Sequence, residues 1–177
     1  MLGLKRGTVQ LQPHDPQWRV LAEETIRVLY DVFGDQVVDI QHVGSTAIPG
    51  IQAKPIIDIA VGMRDMKAVF PLIRVLEHKG FLHRGEDHPG QHLFVLGDTE
   101  SRTHHIHVTA WNSEAWNHYI RFRDYLSTFP EKAHLYESLK QQLAVQYPDN
   151  RKLYTAGKQS LIERMLDEAR AWKESET

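Results

Sequence analysis

The 177-residue chain contains no cysteine. That excludes disulfide bonds, thiolate metal sites and a cysteine nucleophile, and it fits a reducing compartment. A dominant charge is also missing: 21 Lys and Arg against 23 Asp and Glu leave a formal net charge of -2. No summed positive field therefore favours nucleic acid along an extended surface, although a local basic pocket remains open. No apolar run approaches the roughly 20 residues of a membrane span. Met1 to Asp15 has no segment resembling a signal peptide, so the cytoplasm is the expected location. Internal repeats and long polar tracts are absent as well. What is present is ordinary for a globular protein, 41% hydrophobic and 25% charged, and long enough for one compact unit around one good core. Nothing in the pattern signals an oligomeric state.

The order of elements is α/β first and helical afterwards. Asp15-Pro16 is a helix start, and Trp18, Leu21, Ala22, Ile26, Leu29, Tyr30 and Phe33 follow at helical spacing up to Gly34. Val37 to Val43 and Ile56 to Val61 are expected strands around the loop Gly44 to Gly50. Asp65 to Lys79 is expected to be helical, with Pro71 kinking or delaying it. Short strands are expected at Phe81 to Arg84, His92 to Leu96 and His104 to Ala110, separated by turns at Gly85 to Gly90 and Gly97 to Arg102. Ser113 to Leu126, Pro130 to Tyr147 and Asp149 to Trp172 have helical periodicity. The expected fold is a mixed sheet with helices over residues 1–112, packed against a C-terminal helical lobe, 113–177.

Chemistry concentrates between the first two strands. A Gly44-Ser45 pair in a loop lets the backbone approach a phosphate, to which its N–H groups and the Ser45 hydroxyl can donate, with Lys54 adding a charge. Asp58, among Ile56, Ile57, Ile59 and Val61, needs a strand-end position or a bound cation to relieve the cost of burial. Magnesium, which prefers oxygen ligands, suits a carboxylate beside a phosphate loop. By local spacing alone, a simple turn with a hydrogen-bonded strand-end aspartate explains the same residues.

The wider pattern narrows the choice. Gln41-His42-Val43-Gly44-Ser45-Thr46-Ala47-Ile48-Pro49-Gly50, followed by Lys54-Pro55-Ile56-Ile57-Asp58-Ile59, resembles the GrpB-like family of bacterial proteins. His105-Ile106-His107-Val108, Phe122-Arg123-Asp124-Tyr125-Leu126 and the Arg151, Tyr154, Lys158 series carry the same resemblance, which covers nearly the whole chain. It implies the nucleotidyltransferase fold superfamily, in which a Gly-Ser loop precedes a strand bearing two alternate metal-binding carboxylates. By that resemblance Asp58 is the metal-binding and catalytic acid, and a metal-dependent nucleotidyltransferase is the implied activity. The pattern departs from the superfamily at Ala60, which shares a strand face with Asp58 where a second acid is expected. That departure favours a non-catalytic ligand-binding or regulatory domain, or an unusual active site.

The neighbouring candidate strand offers His105 and His107, which share one strand face, in place of a third carboxylate. Zinc is the lesser metal expectation and requires His42 to reach them across the sheet. The run His105-Ile106-His107-Val108-Thr109 also resembles the histidine-triad pattern, a third alternative in which His107 attacks an α-phosphate. His83, His88 and His92 are expected in loops or at edges. In the helical half, Arg151, Tyr154 and Lys158 share a helix face. Lys158 and Lys140 each either snorkel to solvent or meet an anion, with Arg121 and Arg123 as further cations; salt bridges to Asp124, Glu131 or Glu137 are the bland alternative. The four tryptophans are expected to pack the core or the lobe contact rather than stack on bases. The expected ligand is a nucleotide or another phosphorylated small molecule, bound between sheet and helices by Gly44, Ser45, Lys54, His105, Arg123, Lys140, Arg151, Tyr154 and Lys158.

Overall fold

The computed structural model describes residues 1–98 and 100–176. A first helix, α1 (Gln17–Phe33), begins where Asp15 Oδ1 accepts from the Gln17 N–H and ends at Gly34. It leads into β2 (Val37–Val43), preceded in the chain by the short β1 (Leu4–Lys5), and then into β3 (Ile57–Met63). A 3₁₀ turn at Met66–Ala68, capped by Asp65, feeds α2 (Val69–His78). Pro71 is the third residue of α2, in the first turn, where its missing N–H breaks no helical hydrogen bond; it delays the helix rather than kinking it. Strands β4 (Leu82–His88), β5 (Gln91–Gly97) and β6 (Ser101–Ala110) complete the sheet. Helices α3 (Glu114–Thr128), α4 (Pro130–Gln146) and α5 (Arg151–Ser175) follow.

The six-stranded mixed sheet runs β2-β3-β6-β5-β4, with β1 pairing the start of β6. Among the described residues only β3 and β6 pair in parallel, in register Asp58 to His105 and Ala60 to His107. This pairing brings the two chemically rich strands side by side at the centre of the sheet.

Two differences from the expected elements have local causes. Strand β4 extends through the expected turn at Gly85, because Gly85 takes φ 84° and the pairing register shifts between His83 and Glu86, a bulge that bends the strand without ending it. Strand β6 likewise begins at Ser101, inside the turn expected at Gly97 to Arg102, because Ser101 and Arg102 pair with β1; Thr99 of that turn lies outside the described residues, as does Thr177. Strand β1 is too short for periodicity to reveal.

The faces of the sheet divide the labour. Helices α1 and α2 cover one face with a core that includes Leu29, Phe33, Ile57, Ile59, Val61, Leu76, Phe94 and Ile106. On the other face α3 lays Trp116 over Val43 and Ala60. The helical half then packs Tyr125, Leu126, Tyr136 and Met165 around Ile48 and Ile51 from the loop after β2. Because both isoleucines are fully buried, the loop is clamped from its far side and its Gly44-Ser45 end is held in place. Trp18, Trp116 and Trp172 pack as expected; Trp111 is half exposed against Gly62.

Candidate functional site

Gly44 links β2 to the 3₁₀ turn Ser45–Ala47, with φ 70°. That conformation favours glycine, and a close approach makes it necessary: a Cβ here would stand 2.7 Å from Asp58 Oδ2. The loop therefore lies directly on the carboxylate. Beyond it, the N–H groups of Ser45 and Thr46 have no acceptor among the described residues, as is usual for the first turn of a helix. Ser45 and Thr46 both line the adjoining cavity.

Asp58 receives two imidazoles. His107 Nε2 lies 3.1 Å and His105 Nδ1 3.4 Å from its Oδ1. Burial would raise the carboxyl's pKa, but the hydrogen bonds from His105 and then His107 outweigh it and hold the group well below the usual range. An ionised carboxylate only accepts, so both facing nitrogens carry hydrogen. Burial also holds His105 below its ordinary pKa against the opposing pull of Asp58, which leaves that ring neutral at pH 7. Its other nitrogen, Nε2, stands 3.4 Å from Arg151 Nη2. Arginine only donates, so this nitrogen keeps its lone pair, in agreement with the Nδ1–H tautomer.

A cavity of about 250 Å³ opens beside this cluster, between the loop, β3, β6 and helices α3, α4 and α5. Among its lining residues are four cations, Lys54, Lys140, Arg151 and Lys158, against one acid, Asp58. The Tyr154 ring is buried, with the Lys54 ammonium 5.2 Å and the Lys158 ammonium 4.7 Å from its centroid. Lys140 is 2% exposed, donates to the Gln52 carbonyl and lies 4.9 Å from the Tyr136 ring centroid. Burial, reinforced by neighbouring cations, lowers Lys54 to about 7 and Lys140 to about 7. Cations gathered in a partly buried place are costly to keep charged unless a counter-charge is paired with them.

The donor set is poorly suited to a metal ion. Magnesium requires oxygen ligands, and here Asp58 has Ala60 beside it on the strand and imidazoles across from it. Asp58, His105 and His107 do bring three ligand atoms within 4.8 Å of one another, a spacing that zinc could use. Metal-bound histidines, however, almost always donate their second N–H to an acceptor. The second nitrogen of His105 faces an arginine donor, and His107 Nδ1 is buried with no partner among the described residues. His42, required by the zinc expectation, is elsewhere: its Nε2 pairs with Thr46 Oγ1 at 2.9 Å, and burial lowers it to about 4.

Gly44, Ser45, Lys54, Asp58, His105, Lys140, Arg151, Tyr154 and Lys158 all border the cavity; Arg123 and His107 do not. Arg123 is instead bound to Gln41 Oε1 at 2.6 Å, the His42 carbonyl at 3.0 Å and Asp124 at 2.7 Å, so it clips α3 to β2. His107 sits behind Asp58, stacked on Tyr119 with centroids 4.8 Å apart. His92 is not at an edge: it is buried on β5, with its Nδ1 3.0 Å from His83 Nε2 on the edge strand β4. Tyr136 and Thr155 also line the cavity without having been singled out by their sequence context, and so does Phe122, the first residue of the Phe122 to Leu126 motif. Tyr136 stood one helical turn before Lys140, which was the available signal.

The GrpB protein family model matches residues 8–168. The chain is 39% identical over 173 residues to the glutamate-rich protein GrpB of Alkalihalophilus pseudofirmus, covering 95% of this chain and 99% of that protein. It is 35% identical over 166 residues to the UPF0157 protein YqkA of Bacillus subtilis, covering 93% of this chain and 48% of the longer protein. Among solved structures, the conserved protein GrpB from Enterococcus faecalis superposes with a TM-score of 0.86 at 30% identity, over 92% of this chain and 99% of that one. With the family match spanning most of the residues that build sheet, loop and cavity, the chain belongs to the GrpB protein family.

Proposed function

We propose that the cavity binds the phosphate groups of a nucleotide or another phosphorylated small metabolite, and that its own cations, rather than a metal ion, neutralise them. The observation that carries this reading is the imbalance of four buried or half-buried cations against Asp58 around the cavity. A phosphate in contact with several of these cations relieves their mutual repulsion, whereas a divalent cation adds to it. The volume is below the roughly 300–1,000 Å³ of sites that enclose drug-sized ligands. It suits the phosphate-bearing part of a ligand, with the remainder projecting outward.

Magnesium-dependent nucleotidyl transfer finds less support, because Ala60 and His107 stand where further oxygen ligands are needed. Attack by His107 in the manner of a histidine triad is disfavoured by its place behind Asp58. Calorimetric titration with pyrophosphate and with ATP, each in magnesium and in chelator, tests the reading. Binding in both conditions, weakened at least tenfold by Lys158→Ala, is expected. Binding only with magnesium, or no saturable binding of either probe, would overturn it.

A further inference from the structure

We infer that Asp58 and His105 form a dyad in which the Nε2 lone pair of His105 attacks phosphorus, giving the cavity a metal-independent phosphoryl- or nucleotidyl-transfer activity toward phosphate esters or anhydrides. The inference rests on the cavity's being a phosphate site and adds a reaction to it. Three observations lead there. First, the hydrogen-bonding partners define the tautomer: Asp58 takes the Nδ1–H of His105, and the arginine at Nε2 requires a lone pair on that nitrogen. A carboxylate that holds one imidazole nitrogen and leaves a lone pair on the other is the arrangement that makes histidine a base or nucleophile, and here only a long 3.4 Å contact from Arg151 engages that pair, which an arriving phosphate oxygen can take over. Second, His105 borders the cavity and His107 does not. The second histidine instead holds the same carboxylate oxygen from behind and is itself held by the Tyr119 ring, so it positions the dyad. Third, Arg151 stands beside the nucleophilic nitrogen and Lys54 and Lys158 share the cavity wall, so phosphate oxygens drawn to these cations bring phosphorus toward Nε2.

The chemistry balances without a metal or an oxidant. The Nε2 electron pair forms the N–P bond as the P–O bond to the leaving group breaks, and the leaving oxygen takes that bond's electrons and a proton from the Lys54 ammonium. Asp58 stabilises the ring, now cationic, through its Nδ1–H. An acceptor hydroxyl or water then bonds to phosphorus, its proton passes to the Lys54 amine, and the N–P electrons return to Nε2. The net change is transfer of the phosphoryl or nucleotidyl group from leaving group to acceptor.

The test uses the full chain, kept in chelator, with phosphoramidate as a small phosphoryl donor and mass spectrometry to locate modified residues. His105 should be phosphorylated at least tenfold faster than the typical rate among the chain's 11 histidines. Asp58→Asn should slow it at least tenfold, and saturating pyrophosphate should block it. The wild-type pattern decides the matter even if the variant folds poorly: labelling of His105 no faster than the other histidines, or preferential labelling of His107, overturns the inference. Labelling of His105 unaffected by bound pyrophosphate does the same. Pyrophosphate binding is measured separately by calorimetry. If it binds and His105 is inert, only this inference falls; if it does not bind, the phosphate-site reading falls with it.

Discussion

Replacing Lys140 by methionine should stabilise the anion-free protein while weakening its phosphate site. Lys140 is 2% exposed, and burial with nearby Lys158 holds its pKa near 7 rather than 10.5. At pH 7 that difference corresponds to a penalty on the order of 4 kcal/mol relative to the unfolded chain. Methionine keeps most of the side-chain volume but forfeits the donor to the Gln52 carbonyl and the contact with the Tyr136 ring. Those losses are worth roughly 1–3 kcal/mol together. The net expectation is a gain of about 1–3 kcal/mol, which for a chain of this size raises Tm by roughly 2–10 °C. Thermal unfolding followed by circular dichroism in phosphate-free buffer at pH 7 measures it, and added pyrophosphate should raise Tm less in the variant than in the wild type. A variant that melts below the wild type in anion-free buffer, yet responds equally to pyrophosphate, would refute the claim that the buried ammonium serves an anion.

Three other perturbations follow from the same geometry. Gly44→Ala forces a methyl toward Asp58 Oδ2 at 2.7 Å in a backbone conformation of φ 70°, so stability should fall by about 1–3 kcal/mol in urea titrations and pyrophosphate affinity should drop with it. Gly157→Ala, in the middle of α5, should destabilise by about 1–2 kcal/mol although alanine is the better helix former, because the new Cβ would lie 2.5 Å from Leu143 Cδ2; a rise in urea midpoint would show that the helices separate freely. Lys54 and Lys140, both lowered to about 7, bind fewer protons folded than unfolded from pH 7 upward. Their contribution to anion-free stability should therefore rise with pH between about 7 and 10.5, while saturating pyrophosphate, which keeps both charged, should flatten that slope in urea titrations at fixed pH values.

Much of this site was legible residue by residue, but its relationships were not. Glycine at 44 was readable as a place of close backbone approach; that the approach is to Asp58 depends on how β2 and β3 meet across the loop. Helical spacing placed Arg151, Tyr154 and Lys158 on one face because that periodicity is local. The convergence of Lys54 and Lys140 on the same cavity joins distant parts of the chain, which no local pattern records. Arg123 was a plausible ligand cation, yet its acceptors are on β2, 81 and 82 residues away, together with its neighbour Asp124. The alternation of His105 and His107 showed their shared strand face but not their unequal access, which α3 decides by setting Tyr119 against one ring. Ala60 marked the missing acid, and the parallel β3–β6 pairing shows an imidazole across from it.

The most direct measurement is a crystal structure of the full chain grown with pyrophosphate and a chelator. Phosphate density is predicted in the cavity between Ser45, Lys54, Arg151 and Lys158, beside His105 Nε2, with no ion between Asp58 and the two histidines. Pyrophosphate bound elsewhere, or entering this cavity only when a divalent ion joins Asp58, His105 and His107, would contradict the account.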